Sequence, residues 1–101
     1  NMNAPTSKTI TLDSPIKRGD QSITSVTLRK PSSGELRGLN LTDILQMDVN
    51  SLKKVLPRIT SPILTEQDID SLDPADLVDL GSSIALFLVK KANQEQPSPN
   101  A

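Results

Sequence analysis

Residues 73–91 read DPADLVDLGSSIALFLVKK, a helix start signal that runs directly into the densest apolar stretch of the chain. Asp73 can accept the free amides of a first turn, and Pro74 suits the first helical position, where a missing amide costs nothing. Asp76 is expected to complete a capping pair with Asp73. A helix is therefore predicted from Asp73 to Lys91. Leu77, Leu80, Ile84, Phe87 and Leu88 recur at steps of three and four and form its core stripe, with Gly81 leaving room for a close neighbour. From Ile84 to Val89 every residue is apolar, and Ala85, Leu86 and Val89 lie off the stripe. This half of the helix needs cover on more than one side, from the rest of the chain or from a partner.

Working outward, Thr65 with Asp68 has capping-box spacing for a short helix carrying Ile69 and Leu72. Asp48 reads as the cap of a helix with Val49, Leu52, Val55, Leu56 and Ile59 at helical spacing, which Pro57 is expected to stop, and Thr60-Ser61-Pro62 reads as a turn. Leu41, Ile44, Leu45 and Met47 suit one or two further helical turns. Ser32 and Glu35 open another short helix that carries Leu36, Leu39 and Leu41 inward, and Gly38 ends or bends it.

Before Pro31 the period changes to two. Thr9 to Leu12 alternates apolar and polar residues, Asp13-Ser14-Pro15 bends the chain, and Arg18-Gly19-Asp20-Gln21 supplies a turn into a Thr/Ile/Val-rich strand ending at Arg29. Thr24, Val26 and Leu28 share one face; Ile23 is out of phase with them, which a bulge near Ser25 or burial of both faces would reconcile. The expected fold is α+β: a hairpin over residues 9–29, short helices, and one long C-terminal helix, the helical part spanning 32–91. The single domain covers 9–92, between disordered tails at 1–8 and 93–101. Asn1 before Met2 reads as a cleavage remnant.

Composition narrows the chemistry. The 101 residues contain no His, Cys, Trp or Tyr. The commonest general base, the thiolate nucleophile and the usual zinc and iron ligands are missing, and disulfides are impossible. No glycine-rich loop precedes a helix in the pattern that cradles phosphate, and the serines have no adjacent base. No cofactor and no enzymatic activity are expected. Glu66, Asp68, Asp70, Asp73, Asp76 and Asp79 crowd fourteen residues but lack the glycine and bidentate Glu of a calcium loop, so they read as helix caps rather than as a cation site. The run at Ile84–Val89 is too short to span a bilayer and no signal peptide opens the chain, so a soluble cytoplasmic protein is expected.

The net charge of −1 conceals an asymmetry: residues 1–38 carry six cations and three anions, residues 39–101 five and nine. A basic front is compatible with phosphate, but without interleaved aromatics it is a weak nucleic-acid footprint. Arg18-Gly19-Asp20 matches an adhesion tripeptide at a place where a tight turn is needed in any case.

Taken in order, Thr9-Ile10-Thr11-Leu12, Pro15-Ile16-Lys17-Arg18-Gly19-Asp20, Val26-Thr27-Leu28-Arg29-Lys30-Pro31, Gly34-Glu35-Leu36-Arg37-Gly38-Leu39, Asp43, Val55-Leu56-Pro57-Arg58-Ile59 and Asp73-Pro74-Ala75-Asp76-Leu77 resemble the tail assembly chaperone (protein E) family of contractile-tailed bacteriophages, over about Thr9 to Lys91. The resemblance implies a non-enzymatic host-cytoplasmic factor, absent from the finished virion, of phage or prophage origin. Such a factor coats the tape measure protein, recruits tail tube subunits and leaves as the tube polymerises. In many such families a frameshift also makes a longer product. Homo-oligomerisation is expected, and neither membrane nor nucleic acid is expected as a partner. The candidate protein-binding surface is Leu86, Phe87, Leu88 and Val89; the alternative is that the hairpin and the earlier helices cover both sides of this helix. Competing functions are a structural tail component and a small DNA-binding regulatory module using the basic hairpin.

Overall fold

In the computed structural model, which describes residues 6–89, strand β1 (Ser7–Arg18) and strand β2 (Gln21–Arg29) form an antiparallel pair. The expected hairpin is present, starting at Ser7. Arg18 faces Gln21 across a two-residue turn, and Gly19 takes φ +62°, which suits a tight primed turn with glycine first. The hairpin is followed by a 3-10 turn at Ser33–Leu36 and helices α1 (Leu41–Leu45) and α2 (Val49–Ile59). Strand β3 (Thr60–Ser61), helix α3 (Glu66–Asp70) and helix α4 (Pro74–Leu88) complete the described chain. Among the described residues no helix is long and apolar enough to cross a membrane.

Two expectations about these elements need correction. Thr60 and Ser61 do not merely turn: they pair with Leu28 and Thr27, so the sheet has three strands in the order β1-β2-β3. Pro57 does not stop α2, which runs on to Ile59. A proline in a helix costs about 3 kcal/mol, and the burial of Leu56 and Ile59 on either side of it returns about 1.5–3 kcal/mol each. Packing wins. The cap assignments hold where they are local. Asp48 accepts the Ser51 amide at 2.9 Å, Thr65 and Asp68 exchange bonds in a capping box, and Ser32 with Glu35 does the same.

The phase problem at Ile23 is resolved in the ladder. Register passes from Thr11↔Ser25 to Ile16↔Ile23, so Leu12–Pro15 oppose Thr24 alone. The extra chain is carried by β1, not by β2 at Ser25, and Thr24 faces out while Ile23, Val26 and Leu28 face in. Pro15 has no amide for the ladder, which is one reason for the excursion. The amides of Asp13 and Ser14 are turned away from β2 and donate to the two carboxylate oxygens of Asp76, at 2.8 and 3.1 Å. Asp76 is 2% exposed. It does not form the expected capping pair: Asp73 caps α4 alone, accepting the Ala75 amide at 2.8 Å, and Asp76 anchors α4 to the bulge of β1.

One face of the sheet is covered by the helices. Ile10, Leu12, Ile16, Ile23, Val26 and Leu28 from the strands meet Ile44, Leu52, Val55, Leu56, Ile59, Leu64, Ile69, Leu72, Leu80, Ile84 and Phe87 in one core. The other face of the hairpin is Thr-rich, with Thr9 and Thr27 hydroxyls 2.9 Å apart. Gly81 supplies the close approach expected of it. A Cβ there would lie 3.1 Å from Leu52 Cδ1 and 3.3 Å from Met47 Sδ, so α2 and the α1–α2 connection meet α4 at a position where a side chain would be tight.

Ion pairs close the periphery. The Arg29 guanidinium donates to both oxygens of Glu35 and to the Arg58 carbonyl, and Arg58 donates to the carbonyls of Glu35 and Arg37. Arg18 pairs with Asp68 and donates to the Ile63 carbonyl at 2.8 Å. The cation of the Arg18-Gly19-Asp20 turn is therefore engaged by the protein itself, which removes the basis of an adhesion reading. The Arg29 guanidinium, then the Ser32 amide, hold the Glu35 carboxyl down from 4.5 to about 2. At Asp68 burial pushes the carboxyl up, but the Thr65 amide and Arg18 outweigh it and leave it below its ordinary value.

Asp76→Ala, which strands two amides, is expected to lower unfolding free energy by about 2 kcal/mol, against about 1 kcal/mol for Asp73→Ala, which removes one cap. Urea denaturation of both variants tests the order. Because Glu35 titrates lower in the folded state than at its ordinary 4.5, its contribution is complete above that value and fades as pH falls toward 2. The urea midpoint of Glu35→Gln should fall less steeply than that of the wild type across this window.

Candidate protein-binding surface

Among the described residues, six of the seven exposed large hydrophobic side chains gather on α1, the α1–α2 connection, the first residue of α2 and α4. They are Leu41, Leu45, Met47, Val49, Val78 and Leu86, each 37–53% exposed; the seventh, Ile63, lies in the loop after β3. The reason is geometric. Helix α1 has only five residues, and packing it on α4 buries Ile44 alone, leaving Leu41 and Leu45, one turn apart, facing out. The expectation that Leu41 points inward is corrected on this ground.

Between these elements runs an open cleft of about 220 Å3 lined by Met47, Val49, Leu52, Pro74, Leu77 and Val78. Met47 forms one wall, with φ +60°, a left-handed conformation rare outside glycine. Glycine would fit that backbone at no cost, so the methionine is present for its side chain, which reaches both the cleft and Gly81.

The four residues expected to form the surface divide. Leu86 is half-exposed; Phe87 is 8% exposed and belongs to the core; Leu88 packs against the core from its edge; Val89 is half-buried at the C-cap, its amide donating to the Leu86 carbonyl. Cover from the hairpin and the other helices thus reaches Phe87 and leaves Leu86 half-exposed. Helix α4 ends at Leu88, and Lys90 and Lys91, expected to extend it, lie outside the described residues, as do residues 1–5 and the tail at 93–101. Sequence reasoning missed Val49 and Val78 as surface residues. Val78 had a signal, since it is an apolar residue off the stripe of α4.

The acidic run does not converge. Asp68 pairs with Arg18, Asp70 lies 2.8 Å from Lys53, Asp73 caps α4 and Asp76 holds the bulge. Among the described residues no group of three His, Cys, Asp or Glu side chains is placed to hold a metal ion.

A small α+β body with an apolar helical surface and no metal-binding group among the described residues has the build expected of a protein-binding module. The chain matches the family of phage tail assembly chaperone proteins, E, or 41 or 14, over residues 9–89, and it belongs to that family. It is 52% identical over 79 residues to tail assembly protein E of Escherichia phage P2, covering 78% of this chain and 87% of that protein. It is likewise 52% identical over 80 residues to tail assembly protein E′ of the same phage, covering 79% of this chain but only 56% of E′. No solved structure matches.

Phe87→Ala should cost about 3 kcal/mol or more, whereas Leu86→Asp should change stability by no more than about 0.5 kcal/mol. Denaturant titration of the two adjacent variants checks where core ends and surface begins.

Proposed function

We propose that the protein is a non-enzymatic tail assembly chaperone that binds the tape measure protein and assists polymerisation of the tail tube. The family match over residues 9–89 carries this reading. The apolar helical surface supplies a physical means: a client built of amphipathic helices aggregates through its apolar faces, and exposed Leu, Val and Met side chains can cover such faces until the tube replaces them. Methionine at the cleft suits varied helix surfaces because its unbranched, polarizable side chain adapts to them. The protein acts in the host cytoplasm and leaves before the virion is complete.

The equal identity to a shorter and a longer phage P2 protein supports a shared body that also occurs with an extension. The DNA-binding reading gains no support from the basic front, where Arg18 and Arg29 are engaged by Asp68, Glu35 and backbone carbonyls.

Co-expression with the tape measure protein should keep that protein in the soluble fraction and allow its co-purification. The double variant Leu86→Asp, Val78→Asp, folded by circular dichroism, should lose at least tenfold in co-purified client. A client equally soluble without the chaperone would refute the reading, and retention of the protein in purified particles would favour a structural component.

A further inference from the structure

The sheet has one long free edge. Its order β1-β2-β3 leaves β1 open on one side and the two-residue β3 on the other. The Lys30 amide donates to the Thr6 carbonyl at 2.7 Å, so the backbone groups of Thr6 point at β2. In an antiparallel ladder this direction alternates, which turns the backbone groups of Lys8 and Ile10 toward β2 and those of Ser7, Thr9 and Thr11 away from it. The 2.9 Å between the Thr9 and Thr27 hydroxyls agrees, because side chains approach most closely where paired residues exchange no backbone bonds. Among the described residues no helix or loop forms a hydrogen bond to the backbone of Ser7, Thr9 or Thr11, and all three residues are exposed. An unpaired row of amides and carbonyls is a template for another strand.

The free edge is also bounded. Asp76 takes the amides of Asp13 and Ser14, so the open stretch stops at Leu12. What remains is Ser7-Lys8-Thr9-Ile10-Thr11, whose three outward-facing residues are placed symmetrically about Thr9. Such a run is complementary to itself. Laid antiparallel against a second copy with Thr9 opposite Thr9, Ser7 meets Thr11 on both sides and each open amide finds an open carbonyl. Three pairs, each exchanging two bonds, give about six. Lys8, the one charged residue of the run, then opposes Ile10 of the second copy rather than its own equivalent, so like charges do not face one another. On the outer face the hydroxyls of Thr27 and Thr9 continue into those of the second copy, a favourable cross-strand pairing.

We propose that a second copy of this chain docks on this edge, β1 pairing antiparallel with β1 about Thr9 to give one continuous six-stranded sheet. The contact is isologous and closes at the dimer. The opposite edge, β3, is only two residues long and gives the sheet no second place to grow. Directly paired residues carry their side chains on the same face, so the two-fold axis passes through the sheet and both helical layers lie on one side of it. Two copies of the apolar helical surface are thereby presented together to one client. That use rests on the chaperone reading; the pairing itself does not.

Sedimentation velocity and amide hydrogen exchange on the full chain test it. The wild type should pass from monomer to dimer, and no further, below about 1 mM, the weak end of specific association. Over the same range the amides of Thr9 and Thr11 should become protected, while that of Ile10, bonded within the hairpin, should be protected at every concentration. Thr9→Pro removes an amide that faces away from β2, a position where an edge strand tolerates proline. This variant should fold and should dimerise at least tenfold more weakly. Thr9→Lys and Thr9→Glu, both at an exposed position, set like charges directly opposite each other and should each stay monomeric where the wild type is a dimer. Mixed in equal amounts they should recover the dimer.

A wild type that stays monomeric at about 1 mM, a dimer in which the Thr9 and Thr11 amides exchange as freely as in the monomer, or a mixture of Thr9→Lys and Thr9→Glu no more associated than either alone would each overturn the pairing. Should Thr9→Pro fail to fold, the two charged variants decide by themselves. Capture of the tape measure protein by the wild type is measured separately. Its loss with the dimer intact would overturn the chaperone reading alone, whereas capture by a strictly monomeric protein would overturn the pairing alone.

Discussion

A buried carboxylate positions the helical layer on the sheet. Asp76 sits in the first turn of α4 with almost no exposure, and its two oxygens take the amides of Asp13 and Ser14, 63 and 62 residues earlier in the chain. A buried carboxylate survives only when its oxygens are hydrogen-bonded, and two amides outside the ladder need acceptors; each group meets the other's requirement. The pairing sets the start of α4 beside the bulge of β1. From there Leu80, Ile84 and Phe87 extend the core on the same face as Ile10, Leu12 and Ile16.

That placement also determines what remains outside. The helices cover one face of a narrow three-stranded sheet, and α1, the last helix to be laid on α4, is too short to hide its own outer residues. Gly81 lets Leu52 and Met47 approach α4 closely, and among the described residues Val78 beside that contact and Leu86 further along α4 stay half-exposed. Half a dozen exposed apolar side chains therefore lie on neighbouring elements, the kind of exposure that marks contact surfaces in small proteins. The proposed chaperone role would use that exposure, while the buried core lies on the sheet-facing side.

Charge is used mainly to hold the periphery. Acids that crowd the approach to α4 in the sequence are spread in space over four separate tasks, and of the six cations of the basic front Arg18 and Arg29 are taken up by Asp68, Glu35 and backbone carbonyls. The expected cap role holds for Asp73 and, through the Thr65 capping box, for Asp68, whereas Asp70 and Asp76 take partners elsewhere in the chain.

The sequence by itself determined the hairpin, the caps at Ser32, Asp48, Thr65 and Asp73, the core stripe of α4, the close approach at Gly81 and the family. These rest on hydrogen bonds within a turn, on two residues of loop geometry, or on periodicities that short segments express alone. Only the tertiary structure decided that Asp76 serves β1 rather than its own helix, that Thr60 and Ser61 complete the sheet, and that the off-stripe Leu86 is left half-exposed. Those outcomes depend on which distant segment arrives against a residue, and a carboxylate or an apolar side chain has the same local appearance whether its partner is one turn away or sixty residues away.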